Sequence, residues 1–300
     1  MSTPAPRAIL VTGAGGQLGA ELQRRAWPQG YEIVALDRAA LDLRDSAAIT
    51  AMVASRPFAA VINGAAYTAV DKAESDVVTA WAVNAMAPAA FAEACAKAGI
   101  PLVQVSTDYV FAGDKQGAWE VNDPVAPLGV YGASKLGGEL AVRTSGVRHA
   151  IVRTAWVVSA HGHNFIKTML RLAETRDTLS VVADQQGSPT SAADLADTLM
   201  AIALRLIEDE GAPTGTFHFS NAGAVSWADF ATEIFRQSGL RGGPVADVAP
   251  IPSRDYPTPA ARPANSLLSH SALRDAYGIA PRDWRAALSD ILDELIGATK

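Results

Sequence analysis

The sequence of 300 residues contains a single cysteine, Cys95, and this scarcity excludes two architectures. One thiol cannot form an intramolecular disulfide, and it cannot build a zinc site that needs several thiolates. Cys95 stands in an alanine-rich stretch of helical character, so we interpret it as a small buried hydrophobic side chain.

Long apolar runs are also missing. The uncharged stretches 57–70 and 77–92 fall below the ~18 residues of a membrane-spanning helix, and both contain Asn and Pro. The first residues lack the basic region, the long apolar region and the cleavage site of a signal peptide. We therefore expect no membrane partner and a cytoplasmic location.

Positive charge is neither abundant nor clustered. Lys and Arg number 25 against 31 Asp and Glu, which gives a formal net charge of −6. Because nucleic-acid-binding proteins carry concentrated basic patches, neither DNA nor RNA is an expected partner. The composition, 49% hydrophobic and 19% charged, is otherwise typical of a globular protein with one large or two ordinary domains.

Apolar strand-like segments alternate with helix-like segments in the first half of the chain. The predicted strands are 7–12, 31–36, 59–63, 102–106 and 150–156, and the predicted helices are 19–27, 46–55, 78–98 and 132–143. Strands that are apolar throughout are covered on both faces, and right-handed crossovers join them in parallel. The pattern predicts an α/β fold with a doubly wound (Rossmann) parallel sheet.

The alternation weakens after Trp156, where a smaller lobe is predicted. Further helices are expected at 164–174, 192–206, 227–238, 271–277 and 284–296, and strands at 179–183 and 216–220. The proline-rich segment 244–263 is expected to be extended and irregular. We predict a dinucleotide-binding Rossmann domain of 1–157 with about 185–222. A C-terminal substrate-binding lobe of about 158–184 with 223–300 would lie over the carboxyl ends of the sheet.

A glycine-rich turn, GAGGQLG over 13–19, joins the first predicted strand to the first predicted helix. Glycine permits a tight turn and lets a diphosphate approach the N–H groups at the helix N-terminus. This context predicts a dinucleotide site with contacts from four residues: Gly13, Gly16, Gln17 and Leu18.

The adenosine end of that site is predicted to follow the second strand. Asp37 fits the carboxylate that binds the adenosine ribose, whereas Arg38 fits a 2′-phosphate, so NADPH and NADH both stay open. Asp42 and Leu43 fit either the adenine edge of the site or a surface turn after this strand.

Three side chains form a candidate catalytic group. Tyr131 and Lys135 are four residues apart and would share one helix face, and Thr107 follows the predicted strand 102–106, whose carboxyl end faces the same crevice. Hydride transfer to a ketone leaves a developing alkoxide, which the Tyr131 phenol can protonate while the Thr107 hydroxyl bonds the same oxygen. A phenol has an ordinary pKa of ~10, and the positive charge of Lys135 is expected to lower it.

Motifs spread over nearly the whole chain resemble the extended short-chain dehydrogenase/reductases and, within them, the dTDP-4-dehydrorhamnose reductase family. They are VTGAGGQLG (11–19), INGAAYTAVDKAE (62–74), VSTDYVFAG (105–113), VYGASKLGGE (130–139), VRTAWV (152–157), NFIKTMLRLA (164–173), DQQGSPT (184–190) and YPTPAARPANS (256–266). The resemblance implies that NADPH or NADH reduces the 4-keto group of dTDP-4-dehydro-β-L-rhamnose to give dTDP-β-L-rhamnose for surface polysaccharides.

The resemblance also implies roles for individual residues. Thr107, Tyr131 and Lys135 would be catalytic, and Tyr131 and Lys135 would also contact the cofactor. Further cofactor contacts would come from Ala65, Ala66 and Tyr67. The substrate would be bound by Thr107, Asp108, Tyr109, Trp156, Asn164 and Arg262, with Arg262 at the nucleotide diphosphate.

The family pattern of metal binding is incomplete in this sequence. Some members form a Mg²⁺-bridged dimer through three glutamates; Glu21 and Glu294 match, but the third position is Ala193. We therefore predict no metal-binding residue and no dependence on Mg²⁺, and a homodimer is left open. His161 and His163 are interpreted as loop residues.

Other functions use the same fold. A 4,6-dehydratase would carry a carboxylate where Tyr109 stands. Another sugar-nucleotide reductase or epimerase, or a non-catalytic NADP-binding regulatory subunit of the methionine adenosyltransferase β type, is the alternative. The intact Thr107, Tyr131 and Lys135 favour an enzyme.

Overall fold

The structure is a computed structural model that describes residues 6–297. Its strands are β1 (Arg7–Thr12), β2 (Tyr31–Leu36), β3 (Phe58–Asn63), β4 (Leu102–Thr107), β5 (His149–Thr154), β6 (Val157–Val158), β7 (Thr178–Val182), β8 (Gln186–Gly187), β9 (Thr190–Ser191), β10 (Gly215–His218), β11 (Val225–Ser226) and β12 (Asp247–Ile251). Its helices are α1 (Gln17–Arg24), α2 (Ser46–Ala54), α3 (Val70–Ala73), α4 (Val77–Trp81), α5 (Ala87–Ala98), α6 (Val130–Thr144), α7 (Phe165–Ala173), α8 (Ala192–Glu208), α9 (Trp227–Leu240), α10 (Ser271–Tyr277) and α11 (Trp284–Ile296).

A parallel sheet of six strands forms the centre, in the order β10-β5-β4-β3-β1-β2. The chain first runs from β1 outward to β2 and then returns to build β3, β4, β5 and β10 on the other side of β1. The strand order therefore reverses between β1 and β3. In sheets of this kind, the crevice outside the carboxyl ends at the reversal is the place where ligands bind.

Helices cover both faces of the sheet. On one face, Leu22 of α1 and Leu199 of α8 belong to a buried cluster with β1, β3 and β5. On the other face, Ile49 of α2 and Phe91 of α5 pack with Leu10 of β1. The predicted doubly wound fold is therefore confirmed. Cys95 is fully buried in the second cluster, where burial raises the pKa of its thiol to about 12.

A separate hydrophobic cluster lies in the C-terminal half. It joins α7, α9 and α11, with Ile166, Phe230 and Leu288 among its members. In contrast, α10 packs Leu273 into the core of the large sheet. Helix α10 thus packs on the large sheet, although its segment was predicted to belong to the small lobe. The predicted domain boundaries stay a prediction.

Two predicted elements differ from the structure. Segment 244–263 was expected to be irregular, but its residues Asp247–Ile251 form β12, which pairs in parallel with β7. Pro250 is tolerated because this is a two-stranded sheet, in which every strand is an edge. The predicted helix 78–98 is divided by a π-helical turn at 82–86, since Pro88 has no N–H to continue the α-helical hydrogen bonds.

Between residues 6 and 297, no helix is both long enough and apolar enough to cross a bilayer.

Candidate active site

A cavity of about 950 Å³ lies at the carboxyl ends of the central strands. It is lined by most of the residues that were predicted to bind cofactor or substrate: Gly13, Gly16, Gln17, Leu18, Asp37, Arg38, Asp42, Leu43, Ala65, Ala66, Tyr67, Thr107, Asp108, Tyr109, Tyr131, Lys135 and Trp156. Asn164 and Arg262 are not among its lining residues. One continuous crevice therefore brings together side chains from both halves of the sheet.

The glycine-rich turn supplies an anion site at one end of this cavity. Gly13 adopts φ +82°, and a Cβ on Gly19 would lie 2.1 Å from the carbonyl oxygen of Gly13. The helix α1 begins after Gly16 with no side chain capping its first N–H groups. Because those N–H groups and the helix dipole attract negative charge, the residues present fit a dinucleotide diphosphate.

A chain of buried amide and hydroxyl groups fixes the floor of the cavity. The Thr12 hydroxyl donates to Asn63 Oδ1 at 2.6 Å, and Asn63 Nδ2 donates to Gln104 Oε1 at 2.8 Å. The Thr12 hydroxyl also accepts a hydrogen bond from the Ala65 N–H at 3.2 Å. Sequence reasoning missed Thr12, Asn63 and Gln104, although their polar side chains within otherwise apolar strands were the available signal.

The adenosine end contains two carboxylates and two guanidinium groups. Asp37 Oδ1 accepts hydrogen bonds from the N–H groups of Ala39 and Ala40, so this carboxylate stabilises the turn that follows β2. The Arg44 guanidinium lies 2.5 Å from Asp42 and lowers the pKa of that carboxyl to about 2. Arg38 also lines the cavity here. The mixture of charges is compatible with either cofactor.

At the other end of the cavity, α6 brings two catalytic candidates to the end of β4. Lys135 is 4% exposed, and its Nζ donates to the Val105 carbonyl at 2.6 Å. Burial lowers the pKa of Lys135 to about 8, while the Glu139 carboxylate opposes this change. The Thr107 hydroxyl donates to Asp108 Oδ1 at 3.0 Å, and Tyr131 lines the same cavity.

The pKa of Tyr131 differs from the sequence-based expectation. Burial raises it to about 12, and the neighbouring Thr107 hydroxyl only partly opposes this rise. The Lys135 ammonium group donates to the Val105 carbonyl and not to the phenol. Tyr131 is consequently protonated at neutral pH, which is the form that a proton donor needs.

The predicted substrate residues near Thr107 combine burial with aromatic surface. Burial raises the pKa of Asp108 to about 6, and hydrogen bonds with Ser266 and Thr107 act in the opposite direction. The ring of Tyr109 meets that of Tyr131 edge to face at 5.4 Å between centroids. Trp156 was predicted to end a strand, but β5 ends at Thr154 and Trp156 has φ +50°.

Two predicted substrate residues make contacts within the chain. Asn164 caps α7 and donates to Gln17 Oε1 at 2.9 Å and to the Ser159 carbonyl at 2.7 Å. Arg262 pairs with Asp71 at 2.7 Å. Their roles toward a substrate stay predictions. His163, which sequence reasoning treated as a loop residue, lines the cavity.

Behind Lys135 lies a buried ion pair that sequence reasoning also missed. Glu139 accepts hydrogen bonds from Arg153 at 2.8 and 2.7 Å, from Ser106 at 2.7 Å and from Arg143 at 2.7 Å. Glu139 and Arg153 are at most 1% exposed. The pair ties α6 to β4 and β5.

A second, smaller cavity beside α1 and α11 is lined by the three positions matched to metal binding in the sequence, Glu21, Ala193 and Glu294. Ligand atoms of Glu21, His161 and Glu294 lie within 4.8 Å of one another. However, Arg25 pairs with Glu21 at 2.8 Å, and Arg24 pairs with Glu294 at 2.7 Å and contacts His161. Because guanidinium groups already neutralise these carboxylates, the donor set fits an ion-pair network better than a divalent cation.

Comparison with known proteins gives a consistent family. Residues 7–296 match the family described as RmlD substrate binding domain. A dTDP-4-dehydrorhamnose reductase of Aggregatibacter actinomycetemcomitans is 43% identical over 94% of this chain and 97% of its own length. The crystal structure of a dTDP-4-dehydrorhamnose reductase from Clostridium acetobutylicum has a TM-score of 0.89 and 39% identity, covering 96% of this chain and 99% of that one. That of the Bacillus anthracis enzyme in complex with NADP has the same TM-score and coverage at 36% identity. The resemblance found in the sequence is therefore confirmed, and the chain belongs to the RmlD substrate binding domain family.

Proposed function

We propose that this protein reduces the 4-keto group of dTDP-4-dehydro-β-L-rhamnose to dTDP-β-L-rhamnose with NADPH or NADH. The observation that carries the proposal is the meeting of Thr107, Tyr131 and Lys135 in a cavity that continues to the glycine-rich turn. The names of the relatives supply the substrate, since proteins of 43% and 39% identity over nearly the whole chain are called dTDP-4-dehydrorhamnose reductases. The structure of the Bacillus anthracis enzyme is a complex with NADP, which supports a nicotinamide dinucleotide as the cofactor.

The reduction adds a hydride to the carbonyl carbon and a proton to the carbonyl oxygen. Bound NADPH or NADH supplies the hydride. Tyr131 donates the proton, and its high pKa keeps that proton available. The Thr107 hydroxyl donates a hydrogen bond to the same oxygen, where negative charge develops. Lys135, which lines the same cavity, would hold the nicotinamide ribose.

The remaining predicted residues divide the cavity between the two ligands. Gly13, Gly16, Gln17 and Leu18 would bind the diphosphate of the cofactor. The others are assigned to the adenosine end (Asp37, Arg38, Asp42 and Leu43), to the floor (Ala65, Ala66 and Tyr67) and to the sugar (Asp108, Tyr109 and Trp156). Asn164 and Arg262 would reach the substrate from the rim, with Arg262 at its diphosphate.

The direct test mixes the protein with enzymatically prepared dTDP-4-dehydrorhamnose and follows the loss of NADPH or NADH absorbance. We expect turnover that needs both the ketosugar and the protein. A protein that oxidises neither cofactor and binds no dTDP by calorimetry would contradict the proposal. It would instead favour a cofactor-binding regulatory subunit.

A further inference from the structure

Trp156 is held in an unusual backbone conformation. Within residues 6–297 it is the one residue other than glycine with a positive φ, +50°. A bulky side chain in the left-handed region is unfavourable, so the surrounding contacts must maintain it. Such strain gathers at functional sites, and Trp156 lines the same cavity as Tyr131 and Thr107.

Backbone contacts account for part of this conformation. The Trp156 carbonyl accepts a hydrogen bond from the Thr190 N–H at 3.0 Å, and the Ala155 carbonyl accepts one from the Thr190 hydroxyl at 2.5 Å. The chain then continues into β6, which pairs with β9. These bonds hold the main chain on both sides of Trp156, but they do not determine the orientation of the indole.

The indole is positioned by two neighbours outside the predicted site. Its ring stacks on Trp227 with 3.4 Å between centroids and 10° between planes. The backbone of Gly187 is so close that a Cβ there would lie 2.5 Å from Cε2 of Trp156. Any side chain at position 187 would therefore push the indole away from its place.

Trp227 belongs to the C-terminal lobe and does not line the cavity. It is the first residue of α9, and its ring lies 4.6 Å from that of Phe165 and 6.4 Å from that of Phe230. Phe230 is a fully buried member of the lobe core. The stack thus connects that core to a side chain of the active-site cavity.

We propose that Trp227 is a positioning residue for the reduction. By stacking on Trp156, it fixes the indole at the angle that orders the ketosugar for protonation by Tyr131, and Gly187 provides the space that this angle requires. This inference rests on the proposed function, because Trp156 is assigned to the sugar there. Trp227 itself touches neither substrate nor cofactor.

The test compares Trp227→Leu, Trp227→Phe and the control Phe235→Leu. Leu keeps an apolar side chain at 227 but removes the flat ring, whereas Phe retains a ring that can stack. Phe235 is a buried residue of the same helix and the same core. Its truncation therefore shows how much a less well packed lobe core changes stability and activity by itself. The measurements are kcat and KM for the ketosugar, Kd for NADPH, melting temperature, and the near-ultraviolet circular dichroism of the stacked indoles.

We expect Trp227→Leu to lower kcat/KM for the ketosugar by about 10-fold or more, the scale on which misplaced binding groups impair catalysis, and to lose the circular dichroism signal of the pair. Kd for NADPH should change by less than about 2-fold, because the glycine-rich turn is untouched. Trp227→Phe should keep most of the activity. Phe235→Leu should lower the melting temperature without the loss in kcat/KM.

Gly187→Ala is a second variant that remains informative if Trp227→Leu does not fold. The added methyl displaces the indole directly, and the same loss in kcat/KM with unchanged Kd for NADPH is expected. Wild-type kcat/KM in Trp227→Leu or Gly187→Ala, or an equal loss in Phe235→Leu, would overturn the positioning role. An inactive wild type would instead overturn the proposed reduction, and the positioning role with it.

Discussion

Replacing Glu139 by Gln removes one negative charge from the buried pair with Arg153 while keeping the shape of the side chain. Arg153 is 1% exposed, and its other polar contacts are long ones to the Val121 carbonyl and His218, at 3.3 and 3.4 Å. Removing one partner of a buried pair typically costs about 3–5 kcal/mol, because the other charge stays buried without compensation. At roughly 2 °C per kcal/mol for a chain of this size, the melting temperature should fall by about 6–10 °C.

Glu93→Gln is the matched control. Glu93 pairs with Lys97 at 2.6 Å within one helix, but both side chains are 68% exposed. Such surface pairs contribute about 0.3–0.5 kcal/mol, so the melting temperature should change by about 1 °C at most. Thermal unfolding of wild type and both variants, followed by circular dichroism at low and high salt, gives the comparison. Only the surface pair should be sensitive to salt.

The substitution has a second readout in catalysis. The Glu139 carboxylate raises the pKa of Lys135, so its removal should lower that pKa further below its ordinary value. Lys135 would then lose its proton at a lower pH than in the wild type. The decline of kcat/KM at alkaline pH should therefore also begin at a lower pH. If Glu139→Gln melts like Glu93→Gln, the reasoning that this carboxylate neutralises Arg153 is wrong.

Three further substitutions and one treatment test the assigned roles. Tyr131→Phe should lower kcat by about 10²-fold or more with little change in the Kd for NADPH, and normal turnover would remove the proton-donor assignment. Asp37→Ala should shift the ratio of kcat/KM values toward NADPH, and a shift toward NADH would show that the carboxylate does not face the 2′ position. Arg262→Ala should raise KM for the dTDP-sugar roughly 10- to 100-fold, the loss of a charge-assisted hydrogen bond, and an unchanged KM would leave Arg262 only its pair with Asp71. EDTA should leave activity and oligomeric mass unchanged, and a loss that Mg²⁺ restores would mean that Glu21 and Glu294 bind metal despite their arginine partners.

Local sequence signals predicted the elements that depend on local interactions. The bounds of β1, β2, α10 and α11 agree with the structure, because each is an apolar or amphipathic segment between clear breaks. The glycine-rich turn and the Tyr131–Lys135 spacing likewise act over a few residues. Their positions in the cavity follow from the parallel sheet.

Features set by distant parts of the chain were not predicted. The strand β12 forms because β7 offers it a partner, which no pattern within 244–263 reveals. The positive φ of Trp156 depends on Thr190, Gly187 and Trp227, all remote in sequence. The rise in the Tyr131 pKa is similar, since it reflects the burial of the phenol in the folded chain.

Helix α6 meets β4 through interactions that serve stability and catalysis at once. Lys135 bonds the Val105 carbonyl and Glu139 accepts from the Ser106 hydroxyl, so two consecutive residues of β4 each hold one residue of the helix. Positions 131, 135 and 139 are spaced by four residues and share one face of the helix. A displacement of α6 along β4 would break both contacts together. The geometry of the proposed proton donor is thus secured by the same buried interactions that dock the helix, and for this reason Glu139→Gln is expected to affect both unfolding and the pH dependence of turnover.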